Sequence, residues 1–198
     1  MSFNWKIFTD GDSVLRRLIL ITCLGLSVFF VSGCKKAKLR SQLKELMAST
    51  IVLPDNITCV NNGVEYPMPG SLRSKAKLIV YLDSTQCASC RISHLESYHH
   101  LYHLSEELGS FEVVMLLSNI DLYGIPIARY VSDLELEHPV YVDVENKFLA
   151  LNPSIPADEI RLHAFLTDDA GSPVCVGDPS VSEKMLQLFI VAVNKSTH

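Results

Sequence analysis

Two cysteines three positions apart, in Cys87-Ala-Ser-Cys90, stand between the apolar run Lys77-Leu-Ile-Val-Tyr-Leu82 and a stretch with helical period. A strand that delivers such a pair onto the first turn of a helix builds a redox-active dithiol. The helix start aims unpaired backbone N–H groups and the positive end of its dipole at the first sulfur. This favours thiolate, the reactive species, over thiol. The spacing lets the second sulfur reach back to close or open a disulfide. Asp83 precedes the loop and reads either as an acceptor for the resolving thiol's proton or as a residue that ends the strand. Ser84-Thr85-Gln86 offers hydroxyls that can hydrogen-bond a thiolate, or it is ordinary loop.

The N-terminus sets the compartment in which such a pair would work. Lys6 and Arg16-Arg17 precede Leu18 to Val31, a run of 14 largely apolar residues. That is short for a membrane span, which takes about 20 residues, and suits the core of a signal peptide. The run ends in Val31-Ser32-Gly33-Cys34, which resembles the bacterial lipobox. The resemblance implies cleavage before Cys34 and a diacylglyceryl group on that cysteine. The alternative is an uncleaved signal anchor with Cys34 a bystander. Two or three acyl chains anchor stably where one is marginal, so the expected location is the cell envelope, lipid-anchored and extracytoplasmic. Disulfides persist there.

Of the six cysteines, Cys23 lies in the signal and Cys34 carries the lipid, which leaves Cys59, Cys87, Cys90 and Cys175. Four cysteines allow three pairings, and spacing favours Cys87–Cys90. Cys59 and Cys175 read as small apolar fillers, with a structural bridge as the alternative. Residues 34–198 number 165, enough for one domain with a sizeable core. They carry a net charge of −6 with no basic stripe, which gives no support to nucleic-acid binding. No Gly-rich phosphate loop, Ser-His-Asp order or paired-carboxylate motif occurs, and the residues call for no cofactor.

The elements that must position the dithiol follow from periodicity. The expected division is a signal peptide over 1–33, a tether helix and linker over 34–56, and one domain over 57–198. In the tether, Leu39, Leu43 and Leu46 recur at helical spacing. Ile57–Val60, Asn61-Asn62-Gly63 and Val64–Tyr66 read as a β-hairpin, because Asn-Gly tolerates the positive φ its turn requires. The strand Leu78–Leu82 is continuously apolar, as a strand covered on both faces is. A helix runs from Cys90 to Leu108 and stops at Gly109. Strand Phe111–Leu117, helix Ile127–Leu134, strand Pro139–Val142 and a short helix Asn146–Leu151 follow. Strand Arg161–Thr167 turns at Asp168-Asp-Ala-Gly171 into Pro173–Val176. A closing helix, Val181–Val193, puts Met185, Leu188, Phe189 and Ala192 on one face. Crossover helices imply a parallel centre, and the last hairpin implies an antiparallel edge. The class is α/β, a central mixed sheet flanked by helices.

Residues 77–193 resemble the thioredoxin-like family, in particular its membrane-tethered extracytoplasmic members related to cytochrome-maturation thioredoxins. The segment Leu78-Ile-Val-Tyr-Leu-Asp-Ser-Thr-Gln-Cys-Ala-Ser-Cys90 is similar to that family's strand and active site, and His163-Ala-Phe-Leu-Thr-Asp-Asp-Ala-Gly171 to its strand and hairpin. With the signal, the chain looks most like thioredoxin-like lipoproteins of Bacteroides type. The resemblance implies a thioredoxin-like fold with an N-terminal hairpin and one extra βα insertion. It implies thiol–disulfide exchange with protein thiols and disulfides, Cys87 attacking and Cys90 resolving. Gln86 stands where the family has Trp. Leu162, followed by His163, stands where the family has the cis-proline that docks substrate backbone, so these two are the expected substrate-binding residues. A non-proline cis bond costs about 2.5–4 kcal/mol, so the bond at Leu162 is expected to be trans.

A metal-binding alternative uses the same cysteines. Zinc takes four ligands, and Cys87, Cys90, His94 and His163 would suit zinc or copper in a metallochaperone or sensor. A scaffold domain with a vestigial dithiol is a third reading. His99 and His103 share a helix face (i, i+4) while His100 does not, and they read as a solvated polar face with a weak metal patch as the alternative.

Overall fold

The computed structural model describes residues 35–83, 95–122, 124–134 and 136–196. Residues 35–47 form helix α1. The chain divides into two units, Met1–Ser41 and Gln42–His198. The second unit takes in residues 42–56. Leu46 is fully buried in it, the Ile51 N–H donates to the Gly171 carbonyl at 2.9 Å, and Asn152 clamps Val52 by accepting from its N–H (2.7 Å) and donating to its carbonyl (2.8 Å). A Cβ on Gly171 would come within 2.8 Å of the Ile51 carbonyl oxygen, so glycine is what lets this segment lie against the sheet.

Seven strands make the main sheet: β1 (Ile57–Asn61), β2 (Val64–Pro67), β3 (Lys77–Leu82), β4 (Glu112–Ser118), β7 (Val140–Asp143), β8 (Ala164–Thr167) and β9 (Pro173–Val176). Their spatial order is β2-β1-β7-β4-β3-β8-β9. β3, β4 and β7 run parallel, β8 runs antiparallel to β3, and β9 antiparallel to β8. A separate two-stranded ribbon pairs β5 (Asp121–Leu122) with β6 (Ile125–Pro126). The helices are α2 (His99–Leu108), α3 (Ile127–Ser132), α4 (Phe148–Leu151) and α5 (Glu183–Ser196).

The order β4-β3-β8-β9, with a crossover helix between β3 and β4 and a final hairpin and helix, is thioredoxin-like. β7 and α4 are the extra βα insertion, adding a parallel strand beyond β4. The β1–β2 hairpin extends that edge, with Asn62 (φ 49°) and Gly63 (φ 73°) making the turn that the Asn-Gly pair predicts.

Leu78–Leu82 of β3 are buried, as an unbroken apolar run requires, and Lys77 at the start of the strand is buried with them. Alternation splits the strand between two faces. Leu78, Val80 and Leu82 join Leu101 of α2, Ile127 and Val131 of α3, and Phe189 and Val193 of α5 in one cluster. On the opposite face Tyr81 packs on Phe148 of α4, ring centroids 4.8 Å apart.

Three expectations shift. Strand β8 begins at Ala164 rather than Arg161, because Ile160–Leu162 close a 3-10 turn, with the Leu162 and His163 N–H groups donating to Glu159 and Ile160 carbonyls. In α5 the buried residues are Phe189 and Val193, with Leu186 and Ile190 half-buried beside them, while Leu188 is 51% exposed. The described part of the helix after the cysteines opens with a 3-10 turn, Leu95–Tyr98, before α2, whose end is closed by the Gly109 N–H on the Ser105 carbonyl.

Cys59 and Cys175 are both free thiols. They sit on β1 and β9, five strand spacings apart or roughly 24 Å at about 4.8 Å each. That distance excludes a bridge, which needs Cα atoms within about 7 Å.

Candidate functional site

Cys87, Cys90, His94 and Cys34 lie outside the described residues. What is described is the frame around residues 84–94. The chain enters that segment from the C-terminal end of β3, the strand between β4 and β8, and leaves it into the Leu95–Tyr98 turn. Ends of parallel strands at crossover connections are where α/β sheets place their sites.

The turn carrying Leu162 and His163 sits beside that strand end. The antiparallel register sets Val80 opposite Ala164, and the Tyr81 N–H donates to the His163 carbonyl at 2.8 Å. Among the described residues no peptide bond is cis, the bond at Leu162 included. Both side chains are buried, Leu162 at 4% and His163 at 1% exposure. The His163 Nε2 lies 3.0 Å from the Pro156 carbonyl. A carbonyl only accepts, so Nε2 carries the proton and is not a free metal ligand in this arrangement.

A groove of about 230 Å³ opens against this turn. Its walls include Tyr81, Ile160, Arg161, His163, Gly177 and Asp178. Ile160 (45% exposed) and Val181 (76% exposed) leave an apolar rim. Leu162 does not line it; the turn presents Ile160, Arg161 and His163 instead. Asp178 is held on two sides, accepting from the Tyr98 hydroxyl at 2.5 Å and from the Ser180 N–H and hydroxyl at 2.9 and 2.7 Å. The first bond ties the turn that follows the cysteine segment to the loop after β9.

Asp83, the last described residue before the cysteines, is buried. Beside it, burial pushes the Tyr81 phenol well above the usual tyrosine range, and the Asp143 and Asp83 carboxylates push it further. Tyr81 is therefore a neutral hydroxyl at any physiological pH. Sequence reading did not pick out Tyr81, Tyr98 or Asp178. Tyr81 looks like one more core residue of an apolar strand, and Asp178 is 80 positions from Tyr98.

No family model matches the sequence, and no curated protein matches it. Solved structures do. A candidate thiol:disulfide interchange protein DsbE from Chlorobium tepidum aligns at 16% identity over 73% of this chain and 98% of its own, with a TM-score of 0.47. An uncharacterized thioredoxin-like protein from Porphyromonas gingivalis aligns at 18% identity over 76% and 97%, with a TM-score of 0.41. AhpC of Enterococcus faecalis aligns at 14% identity over 75% and 94%, with a TM-score of 0.47. At these identities the likeness is one of fold alone.

Proposed function

We propose that the protein is a thiol–disulfide oxidoreductase that acts on protein thiols and disulfides outside the cytoplasm through Cys87 and Cys90. The observation that carries this reading is the Tyr81–His163 backbone bond. It holds the turn that walls a groove next to the end of the very strand whose sequence runs on into Cys87-Ala-Ser-Cys90, which supports reading that groove as the place for a peptide segment. The exposed apolar rim of Ile160 and Val181 suits an extended polypeptide better than a small polar substrate. On this reading His163 forms part of the groove wall, while Leu162 is buried and does not line it.

The exchange balances without a cofactor. The Cys87 thiolate attacks one sulfur of a substrate disulfide and expels the other as thiolate, leaving a mixed disulfide. The Cys90 thiolate then attacks the Cys87 sulfur, and the second substrate sulfur leaves. The substrate gains two electrons and two protons, and the protein is left with a Cys87–Cys90 disulfide. The reverse sequence oxidises a dithiol substrate.

Equilibration of the protein in glutathione buffers of graded potential tests this. A single two-electron transition is expected, abolished in Cys87→Ser, with Cys90→Ser accumulating mixed disulfides. A Cys87 thiol that titrates near the ordinary value of about 8.5, with no disulfide formed in oxidant, would sink the proposal.

Lipidation of Cys34 after removal of residues 1–33 completes the reading. It rests on the lipobox-like Val31-Ser32-Gly33-Cys34. No helix among the described residues is long and apolar enough to cross a membrane.

A further inference from the structure

Far from β8 and its turn in sequence, three histidines and a glutamate meet at the edge of α2. His99 and His103 are one helical turn apart, and their Nε2 atoms lie 2.8 Å from each other. The other nitrogen of His99, Nδ1, lies 2.8 Å from the His138 Nε2 and 3.4 Å from the Glu137 Oε2. Ligand atoms of His99, Glu137 and His138 fall within 4.8 Å of one another. Tetrahedral zinc, with bonds of about 2.0–2.1 Å, separates its ligand atoms by roughly 3.3 Å. Small side-chain rotations therefore close the set around one ion.

We propose that His99 Nδ1, His138 Nε2 and the Glu137 carboxylate bind a divalent first-row transition metal, with zinc as the reference ion. Two imidazoles and one carboxylate favour zinc, cobalt, nickel or copper over magnesium and calcium, which want oxygen ligands throughout. His103 is a positioning residue, not a ligand. A metal on His99 Nδ1 leaves the proton on Nε2, which donates to the His103 Nε2 already 2.8 Å away. That is the outer-sphere partner that fixes tautomer and ring orientation in histidine sites.

The second histidine is held with equal care. His138 stacks flat on Tyr102, centroids 4.1 Å apart and planes 6° apart. Tyr102 is anchored by its hydroxyl on the Pro139 carbonyl at 2.9 Å. This ring is presented rather than solvated. The cluster opens on a cleft of about 420 Å³ whose remaining walls are the apolar Leu95, Leu134, Leu136 and Val140. Three protein ligands leave coordination positions for water or an incoming ligand on that side, as open zinc sites do.

Cobalt(II) titration of the full chain, followed by zinc displacement, reads the site directly. One equivalent of cobalt is expected to give visible d–d bands without a sulfur-to-cobalt charge-transfer band, both in the natural chain and in a Cys87→Ser, Cys90→Ser chain. Loss of an outer-sphere partner costs about 10- to 100-fold in metal affinity. His103→Gln should fall in that range, and His99→Gln should lose at least as much. Glu137 is exposed, so Glu137→Gln leaves the fold intact and still weakens binding if the His99 variant misfolds. Zinc should also raise the thermal midpoint of the natural chain and not that of His99→Gln. Binding that vanishes with the two cysteines, or that is unmoved by His99→Gln and Glu137→Gln, would overturn the proposal.

Discussion

Burial decides what a thiol can do, and it sets Cys59 and Cys175 apart from a reactive pair. Cys59 is buried on β1, opposite Tyr66 and Tyr141 in register. Desolvation pushes its thiol up, and hydrogen bonds from the two tyrosines offset only part of that rise. Burial alone pushes Cys175 up. A raised pKa leaves less thiolate at a given pH, so both should alkylate more slowly than a free cysteine at neutral pH and speed up only as the pH climbs past 9. In a Cys87→Ser, Cys90→Ser chain, mass mapping after iodoacetamide at pH 7 should find both sites largely unlabelled, and promptly labelled once urea is added. Cys59 labelled at pH 7 as fast as a free cysteine would contradict the burial account. That these two are fillers was legible from the sequence. Why they cannot bridge was not, because it depends on which edge of the sheet each strand occupies.

Helices and strands were legible where their pattern admits one period and misread where it admits two. The Asn-Gly turn, the unbroken run of β3 and the stop at Gly109 each follow from local chemistry. In α5, residues 186 to 193 are apolar except Gln187, so periodicity alone cannot choose a face. Packing chooses it: Phe189 meets Phe111 edge-on, centroids 5.1 Å apart at 80°, and Leu188 points outward. Phe189→Ala should therefore cost about 3–5 kcal/mol of stability. Leu188→Ala, at a position 51% exposed, should stay within about 0.5 kcal/mol. Denaturant melts of the two variants check the assignment, and similar losses would mean that the helix is rotated. The start of β8 was misplaced for a related reason. Arg161-Leu-His163 reads as strand, yet the Leu162 and His163 N–H groups are spent on a 3-10 turn, which is what brings His163 to Tyr81.

At the scale of the molecule, what escaped the sequence is long-range juxtaposition. The His99–His103 pair was visible as a helix face, while its partners Glu137 and His138 come from a loop that only the folded sheet brings alongside. The topology, by contrast, was readable from element order, because crossover helices and a terminal hairpin leave few arrangements of the sheet. The proposed attachment to a membrane is a separate question from the fold. Residues 34–198 carry a net charge of −6, which repels an anionic bilayer surface rather than binding it. A firm association would then draw on the N-terminus, where the proposed acyl chains on Cys34 and the apolar run itself are the two competing chemistries. Expressed in a bacterium with lipoprotein-processing enzymes, the natural chain should lose residues 1–33, gain the mass of a diacylglyceryl group, and stay with membranes through a high-salt wash that screens charge contacts. Cys34→Ser should keep residues 1–33 and gain no acyl mass. Intact mass spectrometry of the membrane fraction separates the two, since a natural chain found whole and unacylated would make the apolar run the anchor and Cys34 a bystander.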